Sequence, residues 1–376
     1  MYDPVLLRHR LHQIPELAFE EYATKALIKS SITQLLAADG ERSHSFKLRE
    51  FDLSCALLLE YHGAKQDMPY QLFRADMDAL PLSEDSSCSF ASQHPDRMHA
   101  CGHDVHMAVL LGLIQKVWQQ QPRRNLLFLF QPAEEGKGGA QSVLSEGIIQ
   151  SFNVDSAFAL HVASNMPVGT ISSKAGIFFG IPQEFDLHFY GKSAHVAFPE
   201  LGVNALSCAL DFMQGITKDV AELSKQERVI FHVGKMQAGQ IRNVIADKCS
   251  LEGTHRTLSP AVRDRLNAMM EHHARQSAQR YGATAEVQLL GTYDAVVNDA
   301  QLLEDLKQAC QTLGYTFEAA ETVMTGEDFG FFTSLYPGLL FWLGSGNCYP
   351  LHSPKFLPND ACIEVGIELM YQIIQQ

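Results

Sequence analysis

No apolar run in this chain approaches the roughly 20 residues that a membrane-spanning helix needs. The opening stretch, MYDPVLLRHRLHQIPE, turns charged at once and lacks the apolar core of a signal peptide. Basic residues are in deficit, 29 Lys and Arg against 43 Asp and Glu, for a formal net charge of -14. That balance excludes a nucleic-acid backbone or an anionic membrane surface as the main partner, because both require a basic face. An anionic small molecule stays possible, since a few local cations suffice to hold it. No two cysteines form a CxxC pair. The eight, at positions 55, 88, 101, 208, 249, 310, 348 and 362, are scattered, which excludes a zinc finger and a disulfide framework. Reduced thiols in a chain of this size imply a cytoplasmic location. Repeats and low-complexity tracts are also missing.

What is present is ordinary globular material. The 376 residues are 46% hydrophobic, enough for sizeable cores, and length suggests about two domains. The first 40 residues carry apolar side chains at helical spacing (Leu6, Leu7, Leu11, then Ala26, Leu27, Ile32, Leu35, Leu36), with Pro15 breaking the first helix. Short apolar runs follow, each ending in polar residues. Tyr70 to Phe73 leads into Arg74-Ala-Asp76-Met-Asp78, Leu126 to Phe130 into Gln131-Pro-Ala-Glu134-Glu135-Gly136, Ala157 to Leu160 into His161, and Leu339 to Leu343 into a glycine loop. A helical stretch, Val105 to Gln119, lies between the first two. Strands alternating with helices predict an α/β domain with a largely parallel mixed sheet flanked by helices. From about 178 to 291 the pattern changes. Alternating runs near 185–190, 229–233 and 248–252 are separated by helical stretches near 203–224 and 259–281. This predicts a smaller α+β domain inserted into the first, which would comprise 1–177 and 292–376.

The metal-capable side chains fall near the ends of the predicted strands. Cys101 and His103 lie in MHACGHDVH, Glu134 and Glu135 follow one strand, His161 ends another, and His352 follows the last glycine loop. In an open α/β sheet, ligands bind beyond the carboxyl ends of the strands. Each feature has a plain alternative: buried Cys is common packing material, a strand-end His often caps a hydrogen bond, and paired glutamates are usually solvated. Together they carry more weight. Thiolate, imidazole and carboxylate suit zinc and its first-row neighbours. A carboxylate can bridge two ions about 3.5–4 Å apart. A second carboxylate must then take the proton of the attacking water and pass it to the leaving amine. Adjacent Glu134 and Glu135 could divide these two tasks. Cysteine favours zinc, cobalt or nickel, and the oxygen and nitrogen donors also admit manganese.

At this point the chain resembles the M20 metallopeptidases, in their amidohydrolase subgroup. The resemblance rests on LHQIPELAFEE at 11–21, RADMDALP at 74–81, MHACGHD at 98–104, FQPAEEG at 130–136, ALHV at 159–162, GKSAHVAFP at 191–199, MTGEDFG at 324–330 and LHSP at 351–354. It implies two divalent metal ions per subunit, with Cys101, His103, Glu135, His161 and His352 as ligands. It implies Glu134 as general base and Asp78 as the aspartate that supports the site. Asp76 stands where other branches of the family carry a metal-binding histidine, a departure that fits the subgroup in which Cys101 and His103 join the ligands. The inserted domain is similar to the family's lid or dimerisation domain, implying a homodimer. His195 there matches a histidine that helps stabilise the oxyanion and that, in dimeric members, reaches the partner subunit's site. A turn or helix-start role for His195 is the plain alternative. Asn243 and Arg256 match polar positions facing the substrate carboxylate, although Gln240-Ile-Arg242 is bulkier than is usual there.

Within the subgroup, the stretches at 12–16, 126–135, 324–330 and 336–343 resemble those of a bacterial deacetylase branch, and that resemblance implies deacetylation of N-acetyl-LL-2,6-diaminopimelate in lysine biosynthesis. They are mostly scaffold and metal site. A broader N-acyl amino acid amidohydrolase, of aminoacylase or hippurate hydrolase type, therefore stays open. So does a non-catalytic binding protein that retains the fold, against which an intact ligand set with Glu134 argues.

Overall fold

The strand Asn125–Gln131 shows how the sequence builds the larger part of the molecule. Every one of its residues is buried, with Leu126 through Phe130 at 0% exposure. A strand apolar on both faces must be covered on both, as the inner strands of α/β sheets are. In the computed structural model, which describes residues 1–64, 68–346 and 349–376, it lies inside a ten-stranded mixed sheet. Tyr70–Asp76 pairs with it in parallel, Asp76 opposite Gln131. Beyond that strand come Val154–Ala163 and then Gly338–Gly344, both parallel as well. On the other side Leu57–Tyr61 pairs antiparallel with it, and Phe46–Glu50 pairs antiparallel with Leu57–Tyr61. Four parallel strands therefore bring their carboxyl ends to a common edge, and the candidate metal ligands are grouped there.

The helix His103–Gln120 forms the crossover between Tyr70–Asp76 and Asn125–Gln131. Val105, Met107, Val109, Leu110, Leu111, Ile114 and Val117 are all buried. Apolar side chains all round the helix have somewhere to go: it packs on the sheet and under the helices Pro4–His12 and Ala361–Ile374. Gly102 starts this helix with φ of 89°. A Cβ at that position would stand 2.3 Å from Val162 Cγ2, so both the backbone and the close approach of the strand require glycine.

The chain divides into two compact units. One comprises Met1–Phe178, Val296–Thr322 and Asp328–Gln376; the other comprises Phe179–Ala295 and Val323–Glu327. The second holds a four-stranded antiparallel sheet in the order Thr284–Thr292, Ile181–Tyr190, Lys248–Thr257, Ile230–Ala238. Alternation in Ile181–Tyr190 turns Phe185, Leu187 and Phe189 inward, onto Phe212 and Ile216 of the helix Ala205–Leu223 and Met270 and Ala274 of the helix Pro260–Tyr281. Val323–Glu327 joins this unit through Gly180 N–H donating to Val323 O at 2.9 Å.

Some readings of the sequence need adjusting. His161 does not end its strand; the strand runs Val154–Ala163, and His161 sits two residues inside it, opposite Trp342. Phe46–Glu50 and Leu57–Tyr61, the antiparallel pair that makes the sheet mixed, were not among the expected strands: Lys47, Arg49 and Glu50 make the first strongly charged, and Glu60 cuts short the apolar run of the second. Among the described residues no helix is long and apolar enough to cross a membrane. The seven described cysteines are all free; Cys348 lies outside the described residues.

Phe128 is fully buried against Phe73 in the middle of the sheet. Phe128→Ala is expected to lower unfolding free energy by about 3–5 kcal/mol, whereas Leu6→Ala, at a 59% exposed site, stays within about 0.5 kcal/mol. Urea unfolding monitored by circular dichroism checks both.

Candidate metal centre

The turn after Asn125–Gln131 is built with unusual care. Ala133 adopts φ of 58°, a left-handed conformation that costs a non-glycine residue about 1–2 kcal/mol. Its N–H donates to Glu21 Oε1 at 2.8 Å, and its carbonyl accepts from Gly139 N–H at 2.9 Å. Burial, reinforced by the nearby Asp78 carboxylate, pushes the Glu21 carboxyl up to about 7. The next two backbone N–H groups, of Glu134 and Glu135, donate to the two oxygens of Asp78 at 3.0 and 2.9 Å. Asp78 thus grips the turn that carries both glutamates. Its backbone carbonyl also lies 2.9 Å from His103 Nδ1.

Two histidines are oriented in the same way. His103 places Nδ1 against Asp78 O, and His161 places Nδ1 2.9 Å from Val162 O. The carbonyl partner assigns a ring proton to Nδ1 in each case, so Nε2 is the nitrogen left to ligate. His103 Nε2 is buried and makes no hydrogen bond. His161 Nε2 lies 3.3 Å from Cys101 Sγ. Ligand atoms of Cys101, His103 and His161 lie within 4.8 Å of one another. So do those of Cys101, Glu135 and His352, and those of His103, Glu134 and Glu135. Overlapping groups that share Cys101, His103 and Glu135 have the form of a two-ion site.

The electrostatics agree with the donor set. Burial, with the carboxylates of Glu135, Glu134 and Asp76 adding to it, drives the Cys101 thiol well above its ordinary range. A divalent cation reverses that preference, since the thiolate is the ligating form. Burial, helped by His106, takes His161 down to about 3, so it is the neutral imidazole a metal requires. Burial also acts to lower His103, but Asp76 and Asp78 outweigh it and hold it near 10. The positive charge that Asp76 and Asp78 favour on the His103 ring is one that a divalent ion would supply in place of the proton. The orphaned His103 Nε2 and the mixed S, N and O donors fit a divalent metal of the zinc type.

Every ligand expected from the sequence is therefore part of one cluster. Four of its supports were not foreseen. His106 places Nδ1 2.6 Å from Asp76 Oδ1, and its Nε2 accepts from Val162 N–H at 3.0 Å. Arg74 donates to Asp76, Gln131 and Asp328 at 2.6, 2.8 and 2.6 Å, all four being buried. Asp328 N–H in turn reaches Glu134 Oε1 at 3.4 Å. Burial, opposed by Arg74, raises the Asp328 carboxyl to about 6. The i, i+3 spacing of His103 and His106 was a visible signal for the first of these; nothing in the sequence linked Arg74 to Asp328.

His195, Asn243 and Arg256 belong to the second unit. His195 bridges to Val244, and Val196 N–H donates to Asn243 O at 3.1 Å, so His195 and Asn243 stand on adjoining backbone. His195 is exposed, and its Nδ1 accepts from Ala197 N–H at 3.1 Å, a local turn contact. Arg256 is half-buried on the strand Lys248–Thr257, opposite Pro182, and is not on that backbone. Burial lowers its guanidinium from the usual range.

A sheet edge that gathers thiol, imidazole and paired carboxylates defines a metallohydrolase class, and comparison identifies which. Residues 72–376 match the model of peptidase family M20/M25/M40, and the chain belongs to that family. It is a metal-dependent amidohydrolase. It is similar to the N-acetyldiaminopimelate deacetylase of Oceanobacillus iheyensis, 35% identical and covering 98% of this chain and 97% of that protein. A protein of the same name from Shouchella clausii is 36% identical, with 98% and 97% covered. Among solved structures, a dinuclear metal-binding M20 peptidase from Bacillus subtilis superimposes with a TM-score of 0.84 at 29% identity, covering 99% of this chain and 96% of the other.

Asn in place of Asp78 offers one acceptor oxygen and an amide where two N–H groups need carboxylate oxygens. Asp78→Asn is expected to weaken zinc binding by about 10- to 100-fold while leaving the fold intact. Competition with a zinc-chelating dye, alongside circular dichroism, would measure it; wild-type affinity would remove Asp78 from the site.

Proposed function

We propose that the protein hydrolyses the acetyl amide of N-acetyl-LL-2,6-diaminopimelate, releasing acetate and LL-diaminopimelate. The observation that carries this reading is the cluster of Cys101, His103, Glu135, His161 and His352 with Glu134 beside it. The names and near full-length coverage of the relatives support the substrate. In this reading the five residues hold two divalent ions, zinc first on the softness of Cys101, with manganese, cobalt and nickel as candidates. When bound, the ions supply Lewis-acid polarisation of the amide carbonyl and a lower pKa for water.

The chain's own residues do the rest. Glu134 is buried, with 7% exposure, and next to the ligand Glu135. It accepts the proton of the attacking water and returns it to the leaving nitrogen, because an amine is a poor leaving group until protonated. Asp78 keeps Glu134 and Glu135 in register by holding their N–H groups. His195 donates to the developing oxyanion. Arg256 and Asn243 hold the substrate carboxylate, for which a guanidinium fork is suited. The same reading makes 178–291 a lid and dimerisation domain, and the enzyme a cytoplasmic homodimer.

Acetate release from N-acetyl-LL-2,6-diaminopimelate, measured beside hippurate and N-acetylmethionine after loading with zinc, manganese or cobalt, tests the substrate. A higher kcat/KM for the first is expected; preference for either of the others assigns a broader N-acyl amino acid amidohydrolase. Glu134→Gln should keep its metal and lose kcat by about 10²- to 10⁴-fold. Near-normal turnover in that variant would falsify the assignment of the base. Dialysis against a chelator should abolish turnover, and returning the metal under reducing conditions should restore it.

A further inference from the structure

We propose that His12, Glu84 and Cys88 form a second, separate site for a zinc-class divalent cation. The three ligand atoms lie within 4.8 Å of one another, in a group that shares no residue with the cluster around Cys101. His12 Nε2 is 3.2 Å from Glu84 Oε1, and Cys88 Sγ is 3.7 Å from the same oxygen. In a tetrahedral zinc site the usual bond lengths put neighbouring nitrogen and oxygen ligands about 3.4 Å apart, and sulfur and oxygen about 3.6 Å apart. Both of these pairs thus stand near ligand spacing, and the ligand atoms of His12 and Cys88 lie within 4.8 Å of each other.

The surroundings match that use. His12 turns Nδ1 to Asp104 Oδ2 at 2.9 Å, which fixes the ring and directs Nε2 toward Glu84. A carboxylate behind a histidine is the usual support of a metal-binding imidazole. Asp104 is itself anchored by Arg8 at 2.7 Å. Glu84 accepts from Ser86 Oγ and, through its other oxygen, from Ser92 N–H at 2.6 Å, which fixes the carboxylate. Ser86 Oγ, 3.3 Å from Cys88 Sγ, supplies a fourth donor or the place of a water. His12 is buried while Cys88 is part-exposed, which leaves an entry path for an ion. The hydrogen bonds among Asp104, His12 and Glu84 would hold this corner without any sulfur; Cys88 is the donor that completes three.

An ion there would tie the helix Pro4–His12 to the segment 84–88. Asp85 N–H in that segment donates to Pro354 O at 2.8 Å, two residues from His352. Asp104 directly follows His103. The site therefore braces two backbones that carry members of the Cys101 cluster, and its role is structural support, not catalysis.

The test uses the full chain loaded with zinc under a non-thiol reductant and freed of excess. Zinc per chain is measured by plasma mass spectrometry in the unmodified protein and in Cys88→Ser. In the unmodified protein, alkylation of Cys88 by iodoacetamide is followed by peptide mass spectrometry with zinc and with chelator. The expected result is one zinc fewer per chain in Cys88→Ser, with amide hydrolysis retained. Zinc should also slow alkylation of Cys88 by about tenfold or more, because a ligated thiolate is a poor nucleophile. Equal zinc content in the two proteins, together with alkylation of Cys88 that ignores zinc, overturns the proposal. The alkylation arm needs no variant and so does not depend on Cys88→Ser folding.

Discussion

The Asp78 carboxylate is the constraint on which the candidate centre depends. Its two oxygens receive the N–H groups of Glu134 and Glu135. These donors are two of the orphaned N–H groups at the head of a short helical turn, which need an acceptor in any case. An aspartate that follows one parallel strand thereby fixes a turn that follows its neighbour. With its carbonyl on His103 Nδ1, one residue sets the position of three others. The left-handed Ala133 can be held at its conformational cost because Glu21 and Gly139 fasten it from either side.

Behind this lies a buried charge network. Arg74 joins Asp76, Asp328 and Gln131, and Asp76 passes the connection to His106. Burial would raise Asp76, yet His103, His106 and Arg74 outweigh it and keep its carboxyl well below the usual range. Such a network is expensive to desolvate and fragile to the loss of one partner. Its value is geometric: the rings and carboxylates of the cluster have little freedom, so ligand positions are set before any ion arrives. Preorganisation of this kind is what a site on rigid strand ends provides and a site on free loops does not.

Much of this was legible in the sequence. The four apolar runs at 70–73, 126–130, 157–160 and 339–343 are parallel strands, and their polar followers do meet at one edge. Cys101, His103, Glu134, Glu135, His161 and His352 are brought together across 251 positions of sequence. In Leu57–Tyr61 the charged Glu60 interrupts the apolar run, and only its place between two strands shows it as part of the sheet. The Arg74–Asp328 pair spans 254 positions, and no local pattern marks a long-range ion pair. Glu84 and Cys88 stand four residues apart in a polar loop, and only the return of the first helix brings His12 beside them.

The sequence by itself determined the class of the molecule, because strand hydrophobicity, helix periodicity and the ligand-bearing stretches are local properties written in neighbouring residues. It also determined which chemical groups were available: sulfur, imidazole and paired carboxylate. Tertiary structure alone decided which atoms face one another. That Nε2 and not Nδ1 of His103 is open, that Asp78 clasps two backbone amides, and that His12 meets Glu84 follow from strand register and helix packing. Those are set by burial of the whole core and not by any short stretch of chain.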